Sequence, residues 1–402
     1  GHGRVRMEMY FPRDEYEARW RKVDVGLQRR GLEAAVVWGR SGGGFERCGD
    51  VLYLSNYYGT HSGQGLDTTL STARGIGAVL LRRGQEPELM ADEPDPNPAL
   101  LATTRIRWSN NTIRGVADLL RQHRIAGPVG LVGSDFFPMK YWNQLQALTP
   151  DIEWRVEDEL VREARLIKSP RELNALRIGG ATASRALVKL MDGLRAGKKE
   201  AEAAADAAAE VVRGGGHVHM IPVNHGDQMH YFTRDPLNGY SQDAPKAGDL
   251  VRGWVYGPMF QGYWIDPGRT AVSGGVRPSN AQKHLVESCV GIVERLIAKI
   301  RPGLTMGELA AIGDKAVAEF GGVKDQAAEK WPHYGHGLGL FFEKPYISTV
   351  LGTESAVFAE GMVMGVEAFL STPGVGSAAF EQNVIITKTG AELITPAPSV
   401  WW

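Results

Sequence analysis

The chain has 402 residues, of which 43% are hydrophobic and 23% charged, a composition typical of globular proteins and unlike that of disordered chains. Its 45 Lys and Arg residues nearly balance its 46 Asp and Glu residues, and the net charge of -1 gives no electrostatic basis for binding nucleic acid or an anionic membrane. No apolar run is long enough for a transmembrane helix, which needs roughly 18 residues or more.

The cysteine content and the first residues favour a reducing compartment. The two cysteines, Cys48 and Cys289, are too few for a disulfide framework or a cysteine-rich zinc site. The opening residues, GHGRVRMEMYFP, lack the apolar centre of a secretory signal peptide. We therefore expect a cytoplasmic protein with no nucleic-acid or membrane partner.

Helical and strand patterns alternate over the first part of the chain. A charged amphipathic segment that stops at Gly31 predicts a helix, and the apolar run LEAAVVW after it predicts a buried strand. VLYLS, IGAVLL and PVGLVG predict further strands, with a helix in TIRGVADLLRQH before the last of them. This alternation predicts an α/β N-terminal domain over residues 10–160.

A second section begins near residue 165. Ser169 before Pro170 offers an N-cap for a long helix, and an alanine-rich helix follows. Apolar strands come next in GDLVRGWVYG and FQGYWIDPGRTAV. Two more helical segments then precede strands in EGMVMGVEAFL and FEQNVIIT. Two helices followed by strands, twice over, predict an α+β domain over residues 165–402 with one sheet covered by paired helices.

Three carboxylates interrupt strands that are otherwise apolar, namely Asp266, Glu367 and Glu381. A carboxylate buried in a strand is costly unless it pairs with an arginine such as Arg269 or binds a cation. His336 lies between glycines that leave its imidazole accessible. Three carboxylates and one imidazole favour a shared divalent cation, while pairing with arginine stays open.

Other motifs carry weaker signals. The HVH of His217 and His219 presents two imidazoles on one side of a strand, as in amidohydrolase barrels, but no eightfold strand–helix alternation follows. The glycine-rich segments GRSGGG and GHGLG lack the lysine of a phosphate-binding loop, which disfavours a nucleotide site.

Several segments together resemble the pita-bread family of prolidases, Xaa-Pro aminopeptidases, methionine aminopeptidases and creatinase. GYWIDPGRT, GHGLG, EGMVMGVEAF and FEQNVIIT are similar, in order, to the family's aspartate strand, histidine loop and two glutamate strands. RLIKSPRELNALR resembles its domain-linking helix, and DVLYLSNYYG resembles a strand of its N-terminal domain. The resemblance implies an α/β N-terminal domain followed by an α+β pita-bread (creatinase/aminopeptidase-like) C-terminal domain.

The resemblance also implies a ligand set for a metal. The implied ligands are Asp266, His336, Glu367 and Glu381. The family's first aspartate should fall about 11 residues before the aspartate of GYWIDPGRT, where the window GWVY contains no carboxylate. In dinuclear relatives that aspartate mainly holds one of the two ions. Its absence here implies one divalent ion (Mn, Fe, Zn or Co), and a metal-free site like that of creatinase stays open.

Catalytic roles follow from the same comparison. Glu367 or Glu381 would accept the proton of the attacking water, and His230 would stabilise the oxyanion or act as the acid and base of a metal-free site. Family members commonly carry a histidine seven positions after the loop histidine, where this chain has Glu343, which would pass a proton to the leaving nitrogen. Lyases that share this fold resemble the chain but carry an aspartate at the position that Phe342 occupies here. Phenylalanine cannot abstract a proton, which disfavours a lyase.

Many aromatic rings and histidines accompany these motifs. The predicted substrate-binding residues are Tyr231, Trp254, Tyr256, Tyr57, Tyr58, His61 and His333. Rings of this kind could hold a methylated or guanidinium-like cation, and core packing is the alternative. Two-domain relatives usually dimerise, which implies a homodimer in which Tyr57, Tyr58 or His61 reaches the pocket of a partner chain.

These observations predict a hydrolase of the prolidase or creatinase type that cleaves an amide, amidino or peptide C–N bond of a small substrate, with a single divalent metal. A dipeptide carrying proline is one candidate substrate by analogy. A metal-independent creatinase-like hydrolase or a small-molecule lyase on the same fold is the first alternative. A non-catalytic pita-bread binding protein is the second.

Overall fold

The computed structural model describes residues 8–41, 49–59, 67–68, 70–229, 232–321 and 331–402. The chain divides into two compact units, Gly1–Leu166 and Ile167–Trp402. None of the described helices is long and apolar enough to cross a membrane.

The N-terminal unit is built on a mixed sheet, whose described strands are ordered β4-β3-β2-β1-β5-β6. The strands are β1 (Ala34–Arg40), β2 (Ile76–Arg82), β3 (Glu88–Ala91), β4 (Arg105–Trp108), β5 (Gly127–Val132) and β6 (Ile152–Val156). The helices are α1 (Arg13–Arg29), α2 (Gly49–Ser55), α3 (Thr112–Gln122), α4 (Met139–Leu148) and α5 (Glu159–Leu166). Strand β1 runs antiparallel to β2 and parallel to β5, and all but its last residue are buried. The predicted α/β character is confirmed.

The segment VLYLS, predicted as a strand, lies in helix α2. All five of its residues are buried, and Oγ of Ser55 donates a hydrogen bond to the carbonyl of Val51 at 2.7 Å. The periodicity of a short apolar run that is buried on every side does not distinguish helix from strand. The strand prediction is therefore wrong here.

Four helices belong to the C-terminal unit: α6 (Pro170–Arg195), α7 (Glu200–Arg213), α8 (Asn280–Lys299) and α9 (Met306–Phe320). Helix α6 begins as predicted, because Oγ of Ser169 accepts the N–H of Glu172 and the Glu172 carboxylate accepts the N–H of Ser169, each at 3.1 Å. This reciprocal pair satisfies two of the amide groups that a helix start leaves without partners.

The described strands of the C-terminal unit form one large sheet, in the order β13-β12-β14-β15-β11-β8-β7 with β16 beside β15, and a separate β9–β10 ribbon. The strands are β7 (Val223–His225), β8 (Leu250–Trp254), β9 (Gly257–Phe260), β10 (Tyr263–Ile265), β11 (Gly268–Val272), β12 (Gly335–Leu338), β13 (Phe342–Tyr346), β14 (Val363–Thr372), β15 (Gly376–Ile386) and β16 (Ala391–Leu393). The predicted order of two helices then strands, twice over, is confirmed. Because β11, β12, β14 and β15 are consecutive neighbours, side chains from distant parts of the sequence meet at the centre of this sheet.

Candidate metal centre

Three of the four predicted ligands form a compact buried group. One ligand atom each from Asp266, His336 and Glu381 lies within 4.8 Å of the other two. All three residues are buried, and Nε2 of His336 is 3.2 Å from Oδ2 of Asp266. Their side chains come from the β10–β11 junction, β12 and β15, so sheet formation assembles the group.

The fourth predicted ligand, Glu367, joins this group through Glu381. The two glutamates are directly opposite each other in the antiparallel register of β14 and β15, and both are buried. Each carboxyl group contributes to the pKa shift of the other. Two carboxylates facing each other across a sheet repel, so this pair requires a shared proton or a cation.

The hydrogen bonds of His336 leave one ring nitrogen available as a ligand. Nδ1 lies 2.9 Å from the carbonyl oxygen of Gly337, which can only accept, so Nδ1 carries the hydrogen. In the neutral ring, the lone pair of Nε2 then points at the Asp266 carboxylate. A cation between these two groups turns a repulsive contact into two bonds, which is the arrangement that metal-ligating histidines use.

The pKa values show what the cluster does without a cation. Burial, followed by the charges of Asp266 and Glu367, raises the pKa of Glu381 well above its ordinary value, and burial raises that of Glu367. Burial lowers the pKa of His336, but its hydrogen bond to Asp266 and the nearby negative charges outweigh burial, and the net shift is upward. The cluster therefore retains protons in place of a positive ion. Three carboxylates and one imidazole fit a divalent ion that prefers oxygen and nitrogen ligands.

Pairing with Arg269, the alternative to a cation, is not what the structure shows. Its guanidinium is buried and donates its described hydrogen bonds to the side chain of Gln382 and to backbone carbonyl oxygens. These belong to Gly268, Glu381, Thr395, Ala397 and Pro398. Burial lowers the pKa of Arg269 to about 9. Arg269 therefore stabilises the backbone near the ligands, and its described hydrogen bonds do not include their carboxylates.

Two residues hold the ligands in ways that the sequence did not predict. Oδ1 of Asn383 accepts the backbone N–H of Asp266 at 2.6 Å, and Nδ2 of Asn383 donates to Oε2 of Glu381 at 3.3 Å. Nε1 of Trp254 donates to Oε1 of Glu381, also at 3.3 Å. The available signal for Asn383 was its place two residues after Glu381, on the same face of β15.

The strand carrying His336 lies unusually close to its neighbour. Gly335 has a φ of 144°, and a Cβ atom there would be 1.9 Å from the carbonyl oxygen of Gly365. Only glycine fits this approach. The flanking glycine noted in the sequence thus sets the spacing of β12 and β14.

Strand β13 turns Phe342 toward the ligands. The Phe342 ring lies 4.7 Å from the His336 ring between centroids, and it also contacts Tyr256 and Trp264. Glu343 instead lies 3.2 Å from Nζ of buried Lys168 and accepts the N–H of Leu340 at 3.3 Å. Adjacent residues of a strand face opposite sides, so this difference is expected. The described contacts of Glu343 do not include any of the four ligands, and its catalytic role stays a prediction.

The predicted aromatic residues pack against other rings. Trp254 stacks on Phe369 with centroids 5.5 Å apart, and Phe232 contacts both Trp254 and Trp331. Tyr256 lies 5.6 Å from the ring of His219 and donates its hydroxyl to Sδ of Met220. These contacts agree with core packing, and substrate binding by Trp254 and Tyr256 stays a prediction.

His333 lies next to the ligands, with Nδ1 3.4 Å from Oε1 of Glu367. Burial, followed by the positive charge of His336, lowers the pKa of His333 to about 3. This ring is therefore neutral near pH 7. The HVH pair is not part of the ligand grouping found among the described residues.

The remaining predicted site residues are in the N-terminal unit or outside the described residues. Tyr57 is buried in the N-terminal unit and donates its hydroxyl to Oδ1 of Asp92 at 2.6 Å, and Tyr58 is half-buried in the same unit. His61, His230 and Tyr231 lie outside the described residues.

Residues 174–388 match the model of metallopeptidase family M24. The chain belongs to metallopeptidase family M24. This agrees with the resemblance seen in its motifs, and with a ligand group made of carboxylates and one imidazole.

Curated relatives of this M24 chain include two dipeptidases. It is 28% identical over 254 residues to the Xaa-Pro dipeptidase of Pyrococcus horikoshii, covering 60% of this chain and 66% of that protein. It is 34% identical over 246 residues to the probable dipeptidase PepE of Mycobacterium tuberculosis, covering 60% of this chain and 61% of that protein. The matches thus span slightly less than two thirds of the length of these relatives.

Solved structures confirm the fold. The prolidase from Pyrococcus horikoshii OT3 superposes with a TM-score of 0.76 at 22% identity, covering 95% of this chain and 99% of that one. Dipeptidase PepE from Mycobacterium ulcerans superposes with a TM-score of 0.73 at 25% identity, covering 97% and 99%. The predicted combination of an α/β N-terminal domain and a pita-bread C-terminal domain is confirmed.

Proposed function

We propose that this M24 protein is a hydrolase that cleaves a peptide or amide C–N bond of a small substrate, using a single divalent ion. The observation that carries the proposal is the buried group of Asp266, His336 and Glu381, with Glu367 opposite Glu381. Such a concentration of buried negative charge is costly unless a cation compensates it. Relatives named Xaa-Pro dipeptidase make dipeptides ending in proline the first substrates to test.

The number of ions follows from the ligand count. The four side chains supply three carboxylates and one neutral imidazole, a shell of charge −3 that suits one divalent ion. The family's first aspartate would stand at Val255, which is apolar and buried. No carboxylate of this segment is therefore available to hold a second ion.

In the proposed reaction the side chains bind, orient and transfer protons. A bound divalent ion would polarise the scissile carbonyl and lower the pKa of water. Glu367 or Glu381 would accept the water proton, the role of a general base. We assign His230 to the developing oxyanion and Glu343 to the proton that the leaving nitrogen takes up.

The proposal is tested with metal-free protein reconstituted with Mn, Fe, Zn or Co. We expect elemental analysis to give one ion per chain, and cleavage of Xaa-Pro dipeptides that a chelator stops and added metal restores. Glu381→Ala should lose both the ion and the activity, while Glu392→Ala, at an exposed ion pair with Arg177, should keep both.

The metal-free alternative has one observation in its favour, because shared protons can satisfy the cluster without a cation. In that version His230 acts as acid and base, and the two glutamates anchor a cationic substrate. Full turnover by demetallated protein would establish it in place of the metal-dependent reaction.

A further inference from the structure

The indole of Trp254 is hydrogen-bonded to a metal-ligand carboxylate. Trp254 is the last residue of β8 and is only 2% exposed, and its Nε1 donates to Oε1 of Glu381 at 3.3 Å. Asn383 donates to the other oxygen, Oε2, at the same distance. Each oxygen of Glu381 thus accepts one N–H, which fixes the rotation of the carboxylate.

Gly268 makes the room for this contact. In the sheet it pairs with Trp254 on one side and with Glu381 on the other. A Cβ atom at residue 268 would lie 2.3 Å from Nε1 of Trp254. The indole therefore lies directly over the backbone of Gly268, in the space that any larger residue would fill.

Aromatic packing holds the indole in place. The Trp254 ring stacks on Phe369 at an interplanar angle of 24°, and the ring of Phe232 lies 5.3 Å away between centroids. Because packing already restricts the indole, keeping its N–H directed at Glu381 costs little conformational entropy. The donor is therefore already oriented before any ligand binds.

We propose that Trp254 is a positioning residue of the metal centre, which holds the Glu381 carboxylate in one orientation through its indole N–H. The inference rests on the proposed function in one respect, that a divalent ion binds at the four ligands. Partners that orient a ligand typically change metal affinity about 10- to 100-fold when they are removed.

The test compares two buried tryptophans. Trp254→Phe keeps an aromatic ring but removes the N–H. Trp264→Phe is the matched control, because Trp264 is also fully buried among rings and its Nε1 has no hydrogen-bond partner in the part of the chain that the structure describes. Metal-free samples are titrated with Co²⁺ alone by calorimetry, and their melting temperatures are measured with and without Co²⁺.

We expect Trp254→Phe to bind one Co²⁺ about 10- to 100-fold more weakly than the wild type, and Trp264→Phe to bind it within about threefold. The rise in melting temperature caused by Co²⁺ should shrink in Trp254→Phe only, since ligand stabilisation follows affinity. A merely structural role would lower the melting temperature of both variants without metal and leave Co²⁺ affinity unchanged.

Gly268→Ala gives an independent check, because it displaces the indole without altering any group that touches the ion. We expect the same loss of Co²⁺ affinity. Unchanged Co²⁺ affinity in folded Trp254→Phe or in folded Gly268→Ala overturns the inference while the proposed function stands. A wild-type protein that binds no Co²⁺ overturns the proposed function itself.

Discussion

Buried carboxyl groups set the chemistry of this protein at the scale of single residues. Glu367 and Glu381 face each other across two strands, and neither carboxylate has a described hydrogen bond or ion pair with a lysine or arginine. Their raised pKa values, like that of His336, mean that protons and a cation compete for the same place. The cluster is therefore expected to respond to both pH and metal.

Without metal, the protein should lose stability as pH rises. The folded state raises the pKa of Glu367, Glu381 and His336, so these three groups bind more protons than they do in the unfolded chain, while His333 beside them, whose pKa burial lowers, binds fewer. For the glutamates this stabilisation is complete below the unfolded pKa of about 4.3 and is lost as pH rises through the folded pKa. Melting curves of chelator-treated protein between about pH 4 and pH 8 measure it.

The matched variant for this pH series is Glu381→Gln, which should flatten the fall of melting temperature with pH. Glu392 is the control, since the Arg177 hydrogen bond lowers its pKa and Glu392→Gln should leave the slope in the neutral range unchanged. A metal-free wild type whose stability rises with pH over this range would contradict the prediction.

The role of Glu343 is open to a direct test. If it passes a proton to the leaving nitrogen, Glu343→Gln should lower kcat by about 100-fold, the low end of what general acids supply, while metal affinity stays within about twofold. Steady-state kinetics and Co²⁺ titration measure the two quantities. An unchanged kcat in a folded variant would mean that Glu343, the ion-pair partner of Lys168, is not the general acid.

At the scale of elements, strand spacing decides which ligands meet. Strands β12, β14, β15 and β11 are consecutive in the sheet, and each supplies or adjoins one ligand. The close approach of β12 to β14 at Gly335 brings His336 beside the glutamate strands. The spacing of the sheet, rather than any single loop, thus holds the group together.

Gly335→Ala should therefore disrupt both the sheet and the centre. The new Cβ would overlap the carbonyl oxygen of Gly365, and the φ of 144° is unfavourable for alanine. We expect a loss of more than about 1 kcal/mol in the free energy of unfolding, together with weaker Co²⁺ binding. Denaturant unfolding gives the first quantity and calorimetric titration the second.

Gly291→Ala is the matching control, since residue 291 is exposed in helix α8 and a Cβ there meets nothing within 4 Å. It should stabilise the protein by about 0.5–1 kcal/mol, the helix preference for alanine over glycine. Equal effects of the two substitutions would show that the close approach at Gly335 does not matter.

At the scale of the whole molecule, the predicted metal ligands are confined to one of the two units. All four predicted ligands belong to the unit Ile167–Trp402, and the unit Gly1–Leu166 contributes none of them. Metal binding should therefore stabilise one unit specifically. The predicted homodimer, and with it the roles predicted for Tyr57, Tyr58 and His61, depends on how chains associate. Light scattering measures whether the chain is a dimer.

Calorimetric unfolding of the whole chain tests this division. We expect Co²⁺ at about 1,000 times its Kd to add about 4 kcal/mol to the stability of the unit that contains the ligands. If the units unfold separately, one transition should move upward and the other stay in place, and a chelator should reverse the change. Equal movement of two resolved transitions would contradict the assignment of metal binding to one unit.

The sequence by itself determined the features that depend on short stretches of chain. The N-cap at Ser169 and most of the helices and strands follow from local patterns. The prediction of Asp266, His336, Glu367 and Glu381 as ligands follows from motif order. The helical state of VLYLS did not, because a short run that is apolar throughout carries no period to distinguish helix from strand.

Tertiary structure alone decided which side chains touch. The hydrogen bond from the indole of Trp254 to Glu381 and the bridge from Asn383 to Asp266 join strands that are remote in sequence. A shift of one residue in any of these pairings would turn the side chains to the opposite face. Register depends on how the entire sheet packs beneath its helices, and no local segment contains that information.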